Sequence, residues 1–238
     1  MGRSREDVLN EEEFGRLVEA CDRTDHPIQN RFIVLVAGKL GLRKAEIVHM
    51  KANWVNFGEG ILRIPAHEPC ECPRCRRSAK EKSGNHDISY EEALSHQWQP
   101  KSEAGIRGVP FGHFKNVEET LKEFWSKHDE FPFKRGTVYN RVKKLGRMAG
   151  IENLYPHALR ATAAQRHARN DVDPYTLSSI MGWQSIDRAT PYIRASGSQA
   201  KKKLDDKYME ENEGSFWMNS GRVFSLTERG KKLLNSPK

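Results

Sequence analysis

Long apolar runs are missing from this chain. The longest, FIVLVAG from Phe32, covers seven residues, far short of the ~20 that a helix needs to cross a bilayer. No membrane span is expected. The opening MGRSREDVLN lacks an apolar signal region, and Glu6 stands where a myristoylation signal carries Ser or Thr. An intracellular protein is the expectation. Cysteine is scarce as well: four residues are too few for a disulfide scaffold, and three of them crowd into CECPRC, a spacing that suggests metal binding instead. Internal repeats and low-complexity tracts, the marks of solenoids and disordered tails, are also lacking.

Basic charge is plentiful. Forty Lys and Arg against 32 Asp and Glu give a net charge of +8 over 238 residues, and a pI near 9.3. That balance suits a polyanionic partner such as nucleic acid, although a merely basic soluble protein has the same composition. At 37% hydrophobic the chain can bury a sizeable core.

Periodicity predicts a mainly helical body. DVLNEEEFGRLVEACDR carries Asn10 as an N-cap, three Glu in the first turn and apolar residues at Phe14, Leu17, Val18 and Cys21. PIQNRFIVLVAGKLGLRKAEIVHM reads as a helix that breaks near Gly41 and resumes at KAEIVHM, so that Arg43 falls at the junction. WVNFGEGILRIP predicts a short hairpin around GEG, and QPKSEAGIRGVPF a second one around SEAG with Lys101 beside its turn. NVEETLKEFWSKH, TVYNRVKKLGRMAG, LRATAAQRHARN, DPYTLSSIMGW and DRATPYIRAS follow as helices. The fold class is therefore mainly α with a small antiparallel β-sheet (α+β).

Four separated motifs hold the chemistry. GLRKAE supplies Arg43 and Glu46, QPKSEAG supplies Lys101, PHALRATA supplies His157 and Arg160, and MGWQSIDRATPYIR supplies Trp183 and Tyr192. Each has a plainer reading in isolation: a helix-end arginine, a surface lysine, a buried structural histidine, core aromatics. Together they contain what breaking and resealing a DNA strand with a side chain requires, namely a nucleophile, cations for the non-bridging phosphate oxygens and an acid for the leaving oxygen. A guanidinium fork grips two phosphate oxygens at once, which an ammonium cannot do, so a pair of arginines fits a phosphoryl clamp.

Over roughly residues 8–200 this set resembles the tyrosine recombinase (phage integrase) family. The order of the motifs matches, and so do the 23 positions from Arg160 to Trp183 and the nine from Trp183 to Tyr192. The resemblance implies the tyrosine recombinase catalytic fold over residues 1–205 and a site-specific recombinase acting on double-stranded DNA. Tyr192 would attack the phosphate to leave a 3′-phosphotyrosyl bond and a free 5′-hydroxyl. Arg43 and Arg160 would hold the phosphate, His157 would serve as base or hydrogen-bond partner, and Lys101 would protonate the 5′-oxygen. Glu46 would orient the site. Trp183 stands where many relatives have His; an indole N–H only donates, so its expected roles are a hydrogen bond to a phosphate oxygen and packing. No cofactor or metal is expected for the chemistry itself. Self-association into a synaptic tetramer on DNA, and a cytoplasmic, DNA-associated location, also follow from the resemblance. Two alternatives remain, a DNA-binding regulator with this fold but no recombination and a type IB topoisomerase.

The departures from the family pattern raise further expectations. Fifty-eight positions separate Arg43 from Lys101, more than the family usually has, and the excess is an insertion at about 67–99. It reads as polar, with little periodicity before a short helix around SYEEALSHQW. Cys70, Cys72 and Cys75 are candidate ligands of a structural zinc, with His86 as the fourth and His67 or His96 as alternatives; free thiols or an inert loop remain open. Arg74, Arg76, Arg77, Lys80 and Lys82 in the same insertion suit a DNA backbone, or simply solvent. Only 42 residues precede Arg43 and they read as catalytic-domain helices, so an N-terminal core-binding domain is expected to be absent from this sequence. The C-terminal tail over 206–238 follows a charged helix that starts at Lys201, KKKLDDKYMEENE, whose Leu204 and Tyr208 share a face suited to docking on a neighbouring protomer or to packing within the chain, and it ends in a wing-like strand and helix, RVFSLTERGKKLLNSPK.

Overall fold

A computed structural model describes residues 7–85, 87–95, 98–193, 204–206 and 208. Its contacts divide the chain into one unit over Met1–Ile193 and another over Arg194–Lys238. Of the second unit, residues 204–206 and 208 are helical; the wing-like strand and helix expected near its end lie outside the described residues.

The first unit is built around α2 (Pro27–Gly38). Its run from Phe32 to Gly38 is almost wholly apolar and almost wholly buried, which is what a helix covered on every side must be. Helix α1 (Glu11–Asp22), α6 (Lys115–Trp125), α7 (Arg135–Met148) and α8 (Pro156–Arg169) pack around it. Phe32 stacks on Phe124 with ring centroids 3.9 Å apart and meets Trp125 edge-on. Each fully buried side chain of this kind contributes about 1.5–3 kcal/mol. Helix α1 starts as the sequence requires: Asn10 caps the Glu13 N–H while the Glu13 carboxylate returns to the Asn10 N–H, a complete capping box.

Three short strands form an antiparallel sheet in the order β1 (Val55–Asn56), β2 (Ile61–Ile64), β3 (Arg107–Pro110). The hairpin around GEG is present, with Val55 opposite Leu62. The second expected hairpin is not. Residues 103–105 of SEAG form a single 3-10 turn, and β3 pairs instead with β2, Leu62 opposite Val109. Strand β2 offers β3 a free edge and an alternating buried face, which a two-armed hairpin at Lys101 would have lacked. The whole insertion thus loops out between two neighbouring strands. It too departs from expectation, because its first part is a regular helix, α4 (Pro73–Asn85), followed by α5 (Tyr90–Ser95).

After the break at Gly41, α3 (Lys44–His49) resumes with Arg43 at its N-cap. Helices α9 (Pro174–Met181) and α10 (Thr190–Ile193) close the unit, α9 capped by Asp173.

Candidate active site

Helix α9 ends at Gly182, whose backbone is left-handed (φ 60°, ψ 47°). Trp183 N–H then donates to Ser178 O (2.9 Å) and Gly182 N–H to Ser179 O (3.0 Å), a Schellman closure. A Cβ at Gly182 would lie 2.7 Å from Ala104 O, so both the conformation and the space demand glycine there. The closure leaves three successive carbonyls, of Ile180, Met181 and Gly182, without helical partners. An arginine from a different element meets each one. Arg107 Nε of β3 donates to Ile180 O (2.7 Å), Arg160 of α8 donates to Met181 O, and Arg43 of α3 donates to Gly182 O (2.5 Å). The negative end of a helix is where cations are stabilised.

Arg160 also donates to Gly41 O, and Gly41 is another left-handed glycine (φ 69°), where an added Cβ would lie 2.5 Å from Met181 Sδ. The helix break read from the sequence at Gly41 and the end of α9 at Gly182 thus both present carbonyls to Arg160. Glu46 draws the cations together. Its carboxylate accepts from Arg43 Nη1 (2.7 Å) and takes a forked pair from Arg107 (2.9 and 3.0 Å), while the Arg43 N–H closes a cap onto it (2.7 Å). Burial alone would raise the Glu46 pKa. Hydrogen bonds and charge from Arg107, then the charges of Arg160 and Arg43, outweigh it and hold the carboxyl below the usual range. One carboxylate among three guanidiniums leaves a net positive site, as an incoming phosphate requires.

Arg160 is 4% exposed. Burial first, and then Arg43, pull its pKa down to about 9, still well above neutral, so the guanidinium stays charged. Arg43 is more open, its side chain 23% exposed, and each fork keeps N–H groups beyond those spent on carbonyls. His157, in the first turn of α8, sits at the accessible rim. Partial burial and then the charges of Arg160 and Arg43 lower its pKa from the ordinary 6.5. A lowered pKa means that the imidazole is neutral, and able to accept a proton, at pH values where a free histidine is already half charged. The acid limb of a single-turnover cleavage profile should therefore fall below pH 6.5, and a His157→Gln variant should be slower and lose that limb. A wild-type limb above that value would exclude His157 as the base.

Tyr192 lies on α10, with its ring stacked on that of Trp183 at 5.6 Å and 14°. Both pack against a small cluster of Ala164, Leu177, Met181 and Ala189, which ties the tyrosine to the same helix end that holds the arginines. Trp183 thus lies face to face with the phenol ring. Lys101 is exposed and has no hydrogen-bond or ion-pair partner among the described residues; the turn that follows it, 103–105, abuts Gly182 through Ala104 O.

The sequence reading missed Arg107, which looks like any strand residue in GIRGVP. Nothing short of the fold would have paired it with Glu46, 61 positions away. It missed one further histidine. The imidazole that the structure brings to Cys70, Cys72 and Cys75 is that of His49, at the end of α3, and the four ligand atoms lie within 4.8 Å of one another. His67 is not in this cluster, and His86 and His96 lie outside the described residues.

Known proteins share this chain's sequence pattern and fold. The chain is 23% identical over 204 residues to tyrosine recombinase XerA of Pyrococcus furiosus, covering 86% of this chain and 63% of that protein. It is 29% identical over 110 residues to XerC of Staphylococcus haemolyticus, with 40% and 37% covered. It thus spans less than two thirds of these relatives' length. Among solved structures, a crystal structure of XerA recombinase superposes with a TM-score of 0.56 at 20% identity, over 84% of this chain and 62% of that one. The Tn1549 transposon integrase in complex with circular intermediate DNA gives 0.59 at 15%, over 84% and 66%. The catalytic domain of bacteriophage HP1 integrase gives 0.53 at 17%, over 83% and 93%. These structures share the fold. The profile of the phage integrase family matches residues 7–198, a span that holds Arg43, Arg160 and Tyr192, and the chain belongs to that family.

Proposed function

We propose that this protein is a site-specific recombinase that cleaves and rejoins double-stranded DNA through a 3′-phosphotyrosyl intermediate on Tyr192. The observation that carries the reading is the convergence of Arg43, Arg160 and Arg107 on three consecutive carbonyls at the end of α9, with Tyr192 stacked on the next residue, Trp183. Arg43 and Arg160 hold the two non-bridging oxygens of the scissile phosphate. Arg107 acts through Glu46 as a positioning residue. Tyr192 Oη attacks phosphorus as its proton passes to His157, and the P–O5′ bond breaks as Lys101 protonates the departing oxygen. Attack by a 5′-hydroxyl, from the same or another strand, reverses each step. The covalent bond conserves the energy of the broken one, so neither ATP nor a catalytic metal enters the cycle.

Exposed cations on α4, among them Arg74, Arg77 and Lys80, extend the positive surface for backbone contacts, which give affinity rather than sequence choice. Exchange between two duplexes requires several copies on DNA, and a synaptic tetramer is the arrangement inferred. DNA inside the cell is the inferred place of action; no described helix is long and apolar enough to cross a membrane.

The experiment uses a pool of randomised duplexes, each nicked so that the cleaved end diffuses away. The wild-type chain should yield adducts that survive denaturation in detergent and vanish on protease treatment. Tyr192→Phe should yield none while still shifting DNA in a binding assay. Adducts formed by the Phe variant would sink the assignment.

A further inference from the structure

The site chemistry leaves one built feature unused, the cluster of His49, Cys70, Cys72 and Cys75. His49 Nδ1 lies 2.7 Å from Ala45 O. That carbonyl can only accept, so Nδ1 carries the proton and Nε2 is left with a lone pair. Nε2 points at the thiols, 3.4 Å from Cys75 Sγ and 3.7 Å from Cys72 Sγ. Bonds of about 2.3 Å to sulfur and 2.0–2.1 Å to nitrogen place tetrahedral ligand atoms about 3.6–3.8 Å apart; the two nitrogen–sulfur pairs are already near that separation, and all four ligand atoms lie within 4.8 Å of one another. The Cys72 N–H also approaches Cys70 Sγ (3.5 Å), as backbone amides do around a thiolate.

The surroundings match an anionic centre. Arg135 Nε is buried and has no hydrogen-bond partner among the described residues, and Arg135 lines the same cavity as Cys70 and Cys72. A buried N–H donor left without an acceptor is costly. Three thiolates and a neutral imidazole around a divalent ion carry one net negative charge, which Arg135 would balance. The imidazole is also held from behind by Trp98, stacked on it at 5.4 Å and 22°, and Trp98 in turn packs on Trp54 at 5.0 Å.

The insertion has little else to fold on. Among the described residues of 67–99 the buried apolar side chains are Cys75, Ala79, Ala93 and Trp98. Its α4 packs chiefly on its own α5. A few polar ties, such as Trp54 Nε1 to Glu68 (3.0 Å) and the paired backbone bonds of Glu68 with Trp98, fix its two ends only. So small an apolar surface does not offset the entropy of ordering the segment. Metal binding does, because a site absent from the unfolded chain returns its binding free energy as folding free energy. The soft thiolate set selects zinc over hard cations such as magnesium.

We infer that His49, Cys70, Cys72 and Cys75 bind one structural zinc ion that fastens the insertion to α3, the helix whose first turn carries Arg43 and Glu46. Three ligands come from the insertion and one from the catalytic body, so the ion is a cross-link and not an internal knot. The metal takes no part in phosphoryl transfer, and the inference does not depend on the recombinase reading.

The test is elemental analysis of the full chain purified without chelator, with circular dichroism as the check on folding. The wild type should hold one zinc per chain, and cobalt(II) in its place should give the intense visible bands of a tetrahedral sulfur site. Cys72→Ser and His49→Ala should lower zinc affinity at least tenfold, whereas His67→Ala should not. His49→Cys covers the case in which the alanine variant fails to fold: it should keep the metal and shift the cobalt spectrum toward four thiolates. Chelation should open residues 67–99 to protease while α2 stays protected. Wild-type protein without stoichiometric zinc, full metal in folded His49→Ala, or an insertion indifferent to chelation would overturn the inference. None of these readouts involves DNA, so they fail or succeed separately from adduct formation at Tyr192.

Discussion

Replacing Arg160 with alanine is expected to slow strand cleavage by at least ~100- to 1,000-fold, the usual cost of deleting one preorganised donor to a developing charge. Arg160 should lie toward the upper end, because its fork is buried and already aimed. Two carbonyls, Gly41 O and Met181 O, hold the guanidinium in place, so no reorganisation is needed when the phosphate arrives. The same bonds mean that the alanine variant also strands two buried acceptors, at about 1–3 kcal/mol each. Part of that loss is returned because Arg43 no longer faces a second positive charge. Stability and catalysis are separated by Arg160→Lys, which keeps the charge and loses the fork. If the fork matters, the lysine variant should melt nearer to wild type yet cleave almost as poorly as alanine. The measurement is single-turnover cleavage of a nicked duplex at saturating protein, with thermal melts alongside. Cleavage by the alanine variant within tenfold of wild type would remove Arg160 from the clamp.

The contrast between Arg160 and Arg107 explains what was legible beforehand. Arg43, His157, Arg160, Trp183 and Tyr192 sit in motifs whose order and spacing survive in one dimension, and the helix break at Gly41 is marked by glycine itself. Arg107 has no local mark. Its meaning comes from an antiparallel pairing across the insertion, which places β3 beside the end of α9. The hairpin expected around SEAG failed for the same reason, since a strand's partner is set by a free edge elsewhere and not by its own residues. Helix α4 was hidden because only Cys75 and Ala79 are buried along it, an apolar stripe too thin to register as a period. His49 was hidden in the opposite way. As the last residue of KAEIVH it reads as one more buried position on α3, and its neighbours on the ligand set lie beyond the sheet, in a segment that sequence alone treats as a separate insertion.

Glu46→Ala should be the most destabilising single change in the site. The carboxylate is 1% exposed and the Arg107 side chain 4%, so removing Glu46 leaves a buried guanidinium with no counter-charge, at a cost of about 3–5 kcal/mol. For a unit of this size that corresponds to a melting temperature lower by roughly 10 °C. The penalty should depend on pH in a defined direction. The folded-state pKa of Glu46 lies below its ordinary value of 4.5, so its stabilisation is fully present above that value and fades as pH falls through the folded pKa. The gap in melting temperature between wild type and the alanine variant should thus be flat near neutrality and narrow only in acid. Glu46→Gln, which fills the space and can still accept a hydrogen bond, should recover part of the packing but not the charge. Its gap should narrow over the same acidic range. Thermal melts of the three proteins between pH 7 and 3 check this; a gap that stays constant throughout would show that Glu46 stabilises the site by shape alone. A related consequence concerns catalysis, since Arg43 takes its orientation from Glu46 Oε1 and Gly182 O. In Glu46→Gln the three arginines repel one another without an anion between them until DNA arrives. Its defect should therefore appear in cleavage as well as in stability, and should ease when inorganic phosphate occupies the clamp during the melt.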